Sequence, residues 1–592
     1  MTTRLPSRAE PAERAEQAAR AARRPGALPL PALPLPARPR AVLPLGLLLL
    51  ALLLGPAAPA RVEAGPPPSF EQLLERHEQG TRRPSFRKRI EAREALAQTG
   101  DVRALQVLVK DYDKPEAPED HVRYTLVSLA AKELGGQAAH RPLWEAWRAR
   151  YAKPEHLLLW LRATEVEAGL GGSEALALLG QAKADPVLRV AVLRGWAEAP
   201  RERVPASPTA AEAALAVLGA LPSAGVGRSQ LVEAAARVLA TLPAEPREPR
   251  LALAERLLEA LADKAVTPRA RLVVARCLAA ALGADRPDLD PALWKREIEA
   301  ARAGAAPEVR PDDTYAGPRF VGLPASGTRI VYVIDASDSM LAPIDSAERQ
   351  ALERPVTGGG ARAATPDDLP WERIKTRFDA ARESLKASLS RLDKERSFCV
   401  VLFGDEARLL KATPGLKPAT PAAVKAAIKE LDSIERADTK PTPEFPHGQL
   451  RGGTNLHGGL LLAFRTGAKG PVEAGEHLDP RLLEDGCDTI FLLSDGVPSW
   501  DDFWGTDVPD PEDTFGNPET GAVGERGLTT QYYGPYGPDH AVGDYLLQDL
   551  RRMNLLRNAE IHCVAVGEAD DTLLTRIAAQ GLGKVRRVGA PR

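Results

Sequence analysis

Oxygen-bearing side chains follow an apolar segment near the middle of the chain. Residues 331–340 read VYVIDASDSM, in which Asp335, Ser337 and Ser339 come directly after four apolar or aromatic residues. One carboxylate and two hydroxyls from a single short loop suit a hard cation that prefers oxygen ligands. Because so short a pattern also occurs by chance, its meaning depends on the rest of the chain.

Two later segments carry further oxygen ligands in a suitable context. Thr454 stands in the Gly-rich segment LRGGTNLHGGLLLAF, just before a predicted helix, and Asp495 ends the apolar segment DTIFLLSD. In a parallel sheet the working residues lie where strands end in loops, at the carboxyl edge. These segments strengthen the prediction of a cation site at Asp335. The alternative is that Asp335 and the serines only cap a loop.

The elements that must position these residues alternate between apolar strands and amphipathic helices. Strands are predicted over 329–334, 398–403, 489–493, 561–566 and 584–588. Helices are predicted over 371–392, 421–431, 456–465, 544–556 and 571–579. Continuous apolar strands separated by helices indicate a mostly parallel sheet that is covered by helices on both faces.

The residues from 327 to the C terminus resemble the von Willebrand factor type A (VWA) domain, a Rossmann-like α/β fold. The metal-ion-dependent adhesion site of that family is D-x-S-x-S, then a threonine, then an aspartate. All of these positions match here, in order, at Asp335, Ser337, Ser339, Thr454 and Asp495.

The resemblance implies a role for each of these residues. Asp335 is expected to bind a magnesium-type ion directly or through water, and Ser337 and Ser339 to ligate the ion by their hydroxyls. Thr454 and Asp495 are expected to complete the shell, partly through waters. Mg²⁺ is the expected cofactor, with Mn²⁺ or Ca²⁺ as alternatives. The last ligand position would take an acidic side chain of a protein partner.

The chain before this part has a helical pattern from about residue 69 to residue 303. Gly100, Gly136 and Gly172 fall at equal intervals, each between two amphipathic segments. Such a period is typical of stacked helical hairpins, since one hairpin cannot bury its apolar face alone. The pattern resembles HEAT-like repeats, which would serve either as a protein-binding scaffold or as a spacer.

We therefore expect a multidomain chain. Residues 1–65 are predicted to be a signal peptide or N-terminal anchor with a Pro/Arg-rich leader, because a basic segment precedes an apolar one and small residues at cleavage spacing follow. An all-α HEAT-like domain is expected over 66–305, a linker over 306–326, and the VWA domain over 327–592. The leader indicates export, to the exterior or to the periplasm and cell envelope, and the Ala-, Arg- and Pro-rich composition suggests a bacterial protein.

The sequence departs from the family pattern at two insertions, over about 341–370 and 500–542. The second is rich in aromatic residues and begins shortly after Asp495. Long ordered loops are often functional, and Trp and Tyr often anchor a partner. The partner-binding candidates are Trp500, Trp504, Tyr532 and Tyr533. The alternative is that these rings pack as a small satellite core.

Composition and motifs argue against other function classes. The balance of 78 basic against 80 acidic residues gives no electrostatic case for a nucleic-acid partner. Haloacid-dehalogenase-like phosphatases need a second aspartate where this chain has Ser337, and no Ser-His-Asp or Cys-His arrangement is evident. The expected function is metal-dependent protein binding without catalysis. A structural envelope protein and, further off, a Mg²⁺-dependent hydrolase are the alternatives.

Overall fold

A computed structural model gives the fold of most of the chain after residue 68. It describes residues 69–82, scattered positions between 92 and 108, 140–198, 210–305, 318–354, 369–434, 453–498 and 544–589, several of these with short gaps. The predicted leader at 1–65, and Gly100 and Gly136 of the predicted repeat, lie outside the described residues. The residues from Pro68 onward form one compact unit.

The first part of this unit, the helical region, is built from helices alone within the described residues. The helices are α1 (Phe70–Gly80), α2 (Arg141–Arg150), α3 (Leu157–Gly169), α4 (Ser173–Ala177), α5 (Pro186–Glu198), α6 (Ala210–Gly219), α7 (Val226–Thr241), α8 (Arg247–Ala262), α9 (Pro268–Leu282) and α10 (Pro291–Arg302). Gly172 separates α3 from α4, as the sequence predicts. Helices α3, α5, α7 and α9 pack on one another in succession around a Leu-, Ala- and Val-rich core.

The second part, the α/β region, contains a mostly parallel sheet. The strands of this region are β1 (Arg319–Phe320), β2 (Leu323–Pro324), β3 (Arg329–Asp335), β4 (Ser397–Phe403), β5 (Ala407–Leu409), β6 (Lys417–Pro418), β7 (Thr466–Gly467), β8 (Gly470–Pro471), β9 (Thr489–Ser494), β10 (Glu560–Val566) and β11 (Val585–Val588). β1 pairs with β2 and β7 with β8 in two small sheets of their own. The main sheet has the order β11-β10-β9-β3-β4-β5, and β6 also pairs with β4. Strands β11, β10, β9, β3 and β4 are parallel, whereas β5 and β6 are antiparallel to β4.

Helices cover this sheet on both faces. They are α11 (Ser346–Glu353), α12 (Arg377–Ser390), α13 (Pro421–Asp432), α14 (Leu456–Arg465), α15 (Pro480–Asp485), α16 (Asp544–Met553) and α17 (Asp571–Gln580). Alternate residues of β3 enter two separate cores: Tyr332 and Ile334 pack on one face, and Val331 and Val333 on the other. A central strand buried on both faces explains why its sequence is continuously apolar.

The predicted helical and α/β regions are thus confirmed, with differences at element ends. The helix predicted from residue 371 begins at Arg377, because the Thr376 hydroxyl accepts a hydrogen bond from the Asp379 backbone at 3.1 Å and caps the helix there. The helix predicted to residue 556 ends at Met553. The short antiparallel strands β5 and β6 were not predicted from the sequence, since three and two residues give too little pattern.

The helical region packs against the amino-terminal ends of the strands. Arg276, in α9, donates to the Asp488 backbone carbonyl and to the Thr489 hydroxyl, both at 3.0 Å. Its guanidinium also pairs with the Glu560 carboxylate at 3.1 Å. Asp488 and Thr489 stand at the start of β9, and Glu560 opens β10. The two regions therefore share buried polar contacts, although the sequence suggested a linker between separate domains; the domain boundaries themselves stay predictions.

Two further features bear on the class of protein. All four cysteines are free and buried. Within the part of the chain that the structure describes, no helix combines the length and apolar character needed to cross a membrane.

Candidate metal centre

Two neighbouring strands end side by side at the carboxyl edge of the sheet. β3 ends at Asp335, and β9 ends at Ser494, one residue before Asp495. The strands pair in parallel, with Ile334 opposite Leu493. This register delivers the two carboxylates to the same edge, as the apolar patterns predict.

The carboxylate of Asp335 is held on both oxygens. Oδ1 accepts a hydrogen bond from the Ser337 backbone N–H at 2.9 Å, and Oδ2 accepts one from the Ser494 hydroxyl at 2.6 Å. Asp335 and Ser494 are both completely buried. Sequence reasoning did not single out Ser494; its position just before Asp495 at the strand end is the signal that could have found it.

The hydroxyls continue the cluster from Asp335 to Asp495. The Oγ atoms of Ser337 and Ser339 are 3.0 Å apart, and the Ser339 hydroxyl donates to Asp495 Oδ1 at 2.6 Å. Ser339 is exposed, whereas Ser337 and Asp495 are buried. The cluster therefore leads from the interior of the molecule to its surface.

Thr454 lies beside the same cluster, and Gly496 is the residue next to both Thr454 and Ser339. A Cβ atom built at Gly496 would lie 3.2 Å from Thr454 Oγ1 and 3.6 Å from Ser339 Oγ. Thr454 is held there because the next residue, Asn455, caps α14: its side chain accepts from the Gly458 backbone N–H at 2.7 Å. The structure thus brings together all five predicted ligands, Asp335, Ser337, Ser339, Thr454 and Asp495.

The electrostatics of the cluster favour an added positive charge. Burial raises the pKa of Asp335, and the nearby Asp495 carboxylate raises this pKa further, while hydrogen bonds from Ser337 and Ser494 oppose the change. Burial also raises the pKa of Asp495, against the lowering effects of Ser339 and Arg377. Two buried carboxylates that disfavour ionisation together are stabilised when a proton or a cation neutralises them.

The donor set fits a hard divalent cation. Asp335 and Asp495 offer charged oxygens, and the three hydroxyls offer neutral ones, which is the chemistry that Mg²⁺ and Ca²⁺ prefer. Among the described residues, no group of three or more His, Cys, Asp or Glu side chains is placed to hold a metal ion. The proposed set contains only two such side chains, and it lacks the nitrogen and sulfur ligands that zinc favours.

Two charged residues that sequence reasoning missed adjoin the cluster. Arg377, the first residue of α12, donates to Asp495 Oδ2 at 3.0 Å, and Glu348, in α11, accepts from Arg377 Nε at 2.8 Å. Glu348 belongs to the first predicted insertion, of which α11 is described. Neither residue stands in a recognisable motif, so the sequence offered no signal for them.

The aromatic candidates belong to the second insertion. Trp500, Trp504, Tyr532 and Tyr533 all lie outside the described residues. Their role stays a prediction.

The similarity found between this chain and known proteins is low. No protein-family model matches the chain, and no curated protein matches it either. Among solved structures, the PilB minor pilin from Streptococcus sanguinis aligns with 17% identity and a TM-score of 0.26, over 45% of this chain and 58% of the pilin chain. A mutant of the same pilin aligns with 17% identity and a TM-score of 0.25, over 44% of this chain and 57% of the mutant. The match thus spans less than three fifths of either pilin chain, and likeness at this level supports no statement about the fold or function of this protein.

Proposed function

We propose that this protein binds another protein through a divalent cation, in the manner of a VWA domain. The observation that carries the proposal is the hydrogen-bonded cluster at the carboxyl edge of the sheet. Ser339 lies in the loop that follows the buried Asp335, and its hydroxyl donates a hydrogen bond to the buried Asp495 carboxylate. The order D-x-S-x-S, Thr and Asp along the chain supports the same proposal.

The residues would divide the work according to their burial. Asp335 and Asp495 would supply the negative charge that holds Mg²⁺, with Mn²⁺ or Ca²⁺ as alternatives. Ser337, Ser339 and Thr454 would direct hydroxyl oxygens at the ion. Because Ser339 is exposed, the ion would be reachable from solvent on that side. A carboxylate of the partner would bind there, and the aromatic loop at 500–542 would add contacts.

The other parts of the chain would have supporting roles. The helical region, with its HEAT-like pattern, would support the VWA domain or bind a further protein. The leader at 1–65 supports export to the exterior or the cell envelope, either cleaved or kept as an anchor. A purely structural metal site in an envelope protein is the second candidate, and the buried position of most of the cluster favours it over a hydrolase.

The test is capture of a partner by immobilised full-length protein from a cell-envelope extract of its native host. We expect at least one protein to be retained in Mg²⁺ and released by EDTA. The Asp495→Ala variant should not retain it, whereas Asp338→Asn, an exposed neighbour in the same loop, should retain it. Retention that is equal in Mg²⁺ and EDTA, or equal in both variants, would contradict the proposal. Magnesium-dependent hydrolysis of a phosphate ester would instead support an enzyme.

A further inference from the structure

The two oxygens of Asp495 have different partners. Oδ1 accepts from the Ser339 hydroxyl at 2.6 Å, and Oδ2 accepts from Arg377 Nη1 at 3.0 Å. The guanidinium therefore fixes the carboxylate so that Oδ1 is directed at the hydroxyl cluster. An ion pair with a guanidinium restricts the orientation of a carboxylate more than an ammonium would, because the fork is planar.

Arg377 is itself held by a second carboxylate. Its Nε donates to Glu348 Oε1 at 2.8 Å, and the other Glu348 oxygen accepts from the Asp345 backbone N–H at 2.9 Å. The side chains of Asp495, Glu348 and Arg377 are 0%, 1% and 14% exposed. Charges this well buried are screened little by salt and water, so they act on one another at close range.

Two glycines leave room for this pair. Gly567 follows β10 with φ +57°, and a Cβ atom there would lie 2.2 Å from the guanidinium carbon of Arg377. Gly589 follows β11 with φ +114°, and a Cβ atom there would lie 3.1 Å from Glu348 Cγ. The carboxyl edge of the sheet is thus shaped to accept both side chains.

Helix stability does not explain the position of Arg377. It is the first residue of α12, where the positive end of the helix dipole disfavours a cation. The helix already has a Thr376 and Asp379 capping box, which needs no arginine. Its contacts with Asp495 and Glu348 are therefore the features that account for a partly buried cation at this place.

We propose that Arg377 and Glu348 are positioning residues that match the charge of the candidate centre to a divalent cation. Asp335, Asp495 and Glu348 carry three negative charges and Arg377 one positive charge, which gives a net charge of −2 for these four side chains. Arg377 holds Asp495 in place, and Glu348 offsets the charge that Arg377 brings. This inference rests on the proposed function, since a centre without an ion has no charge to match.

The test is calorimetric titration of Mg²⁺ into full-length protein and its variants. Glu348→Gln leaves a net charge of −1 and should bind Mg²⁺ about tenfold more weakly. Arg377→Gln leaves −3, and the added negative charge partly offsets the loss of the contact that holds Asp495, so this variant should bind more tightly than Glu348→Gln. The double variant returns to −2 and should bind within about threefold of the wild type. Arg382→Gln is the matched control, because Arg382 forms partly buried ion pairs on the same helix with Asp379 and Glu383.

Other outcomes separate this inference from the proposed function. If both single variants weaken Mg²⁺ binding alike and the double variant is no better, the pair only fastens α11 to the sheet, and the inference is wrong. If the wild type binds no divalent ion, the proposed function and the inference both fail. Should a glutamine variant not fold, Arg377→Lys replaces it. The retained charge should keep the affinity within about threefold of the wild type, with the looser ammonium contact to Asp495 accounting for the difference. A tenfold loss would overturn the inference.

Discussion

Asp335 is completely buried, and its two oxygens already accept hydrogen bonds from Ser337 and Ser494. These bonds orient the carboxylate but do not neutralise it. A buried carboxylate beside a second one costs free energy when both are ionised, and a bound cation offsets that cost. The same property that suits Asp335 to an ion therefore makes the metal-free protein less stable.

Asp335→Asn should separate these two effects. The amide keeps the size of the side chain and can accept the same hydrogen bonds on one side, but it removes the buried charge. We expect the melting temperature in EDTA to be unchanged or higher than that of the wild type, and the rise on adding Mg²⁺ to disappear. Differential scanning calorimetry with and without Mg²⁺ measures both. Asp338→Asn, in the exposed part of the loop, should keep the Mg²⁺-dependent rise; loss of the rise in both variants would contradict this account.

The residues of the candidate site differ in how well the sequence predicts them. Asp335 and Asp495 end apolar strands, so their place at one edge follows from the parallel pairing of those strands. Glu348 and Arg377 are 29 positions apart and meet only because α11 and α12 pack at the same edge. No periodicity or spacing encodes a contact of that kind, which depends on tertiary packing.

At the scale of elements, strands with long apolar runs were predictable, and contacts between regions were not. Four of the sheet strands, β3, β4, β9 and β10, are buried on both faces, which distinguishes them from the helices. By contrast, α7 of the helical region reaches the turn before β10, where the Glu233 carboxylate accepts from the Asn558 side chain at 3.0 Å. Burial raises the pKa of Glu233 to about 7, although Arg269 and Asn558 lower it.

The burial of Glu233 predicts a pH dependence of stability. Because the folded-state pKa is raised, the folded protein keeps a proton on Glu233 that the unfolded chain has lost, and its contribution to the free energy of unfolding falls as pH rises toward 7. Glu233→Gln has no carboxyl group to titrate, so it should not lose stability in this way. The difference in melting temperature, variant minus wild type, should therefore increase from about pH 5 to about pH 8. The exposed Glu259→Gln variant should show no such increase. A pH-independent difference for Glu233→Gln would show that this carboxylate is not responsible.

At the scale of the whole molecule, the helical region and the candidate site lie at opposite ends of the strands. Arg276 contacts Thr489 and Glu560, at the starts of β9 and β10, whereas Asp335 and Asp495 lie where β3 and β9 end. The helical region can therefore support the sheet without covering the carboxyl edge. A partner bound at that edge would meet the loops of the α/β region first.

The most direct test of this account is calorimetric titration of Mg²⁺ into the full-length protein. We expect one divalent site for the wild type and its loss in Asp335→Ala and in Asp495→Ala, with both variants still folded by circular dichroism. Because the helical region contributes buried contacts to the sheet, the whole chain is the proper sample. An absence of Mg²⁺ binding by the wild type would contradict the central claim that these two carboxylates form a metal centre. Binding by both variants that is as tight as that of the wild type would contradict it as well.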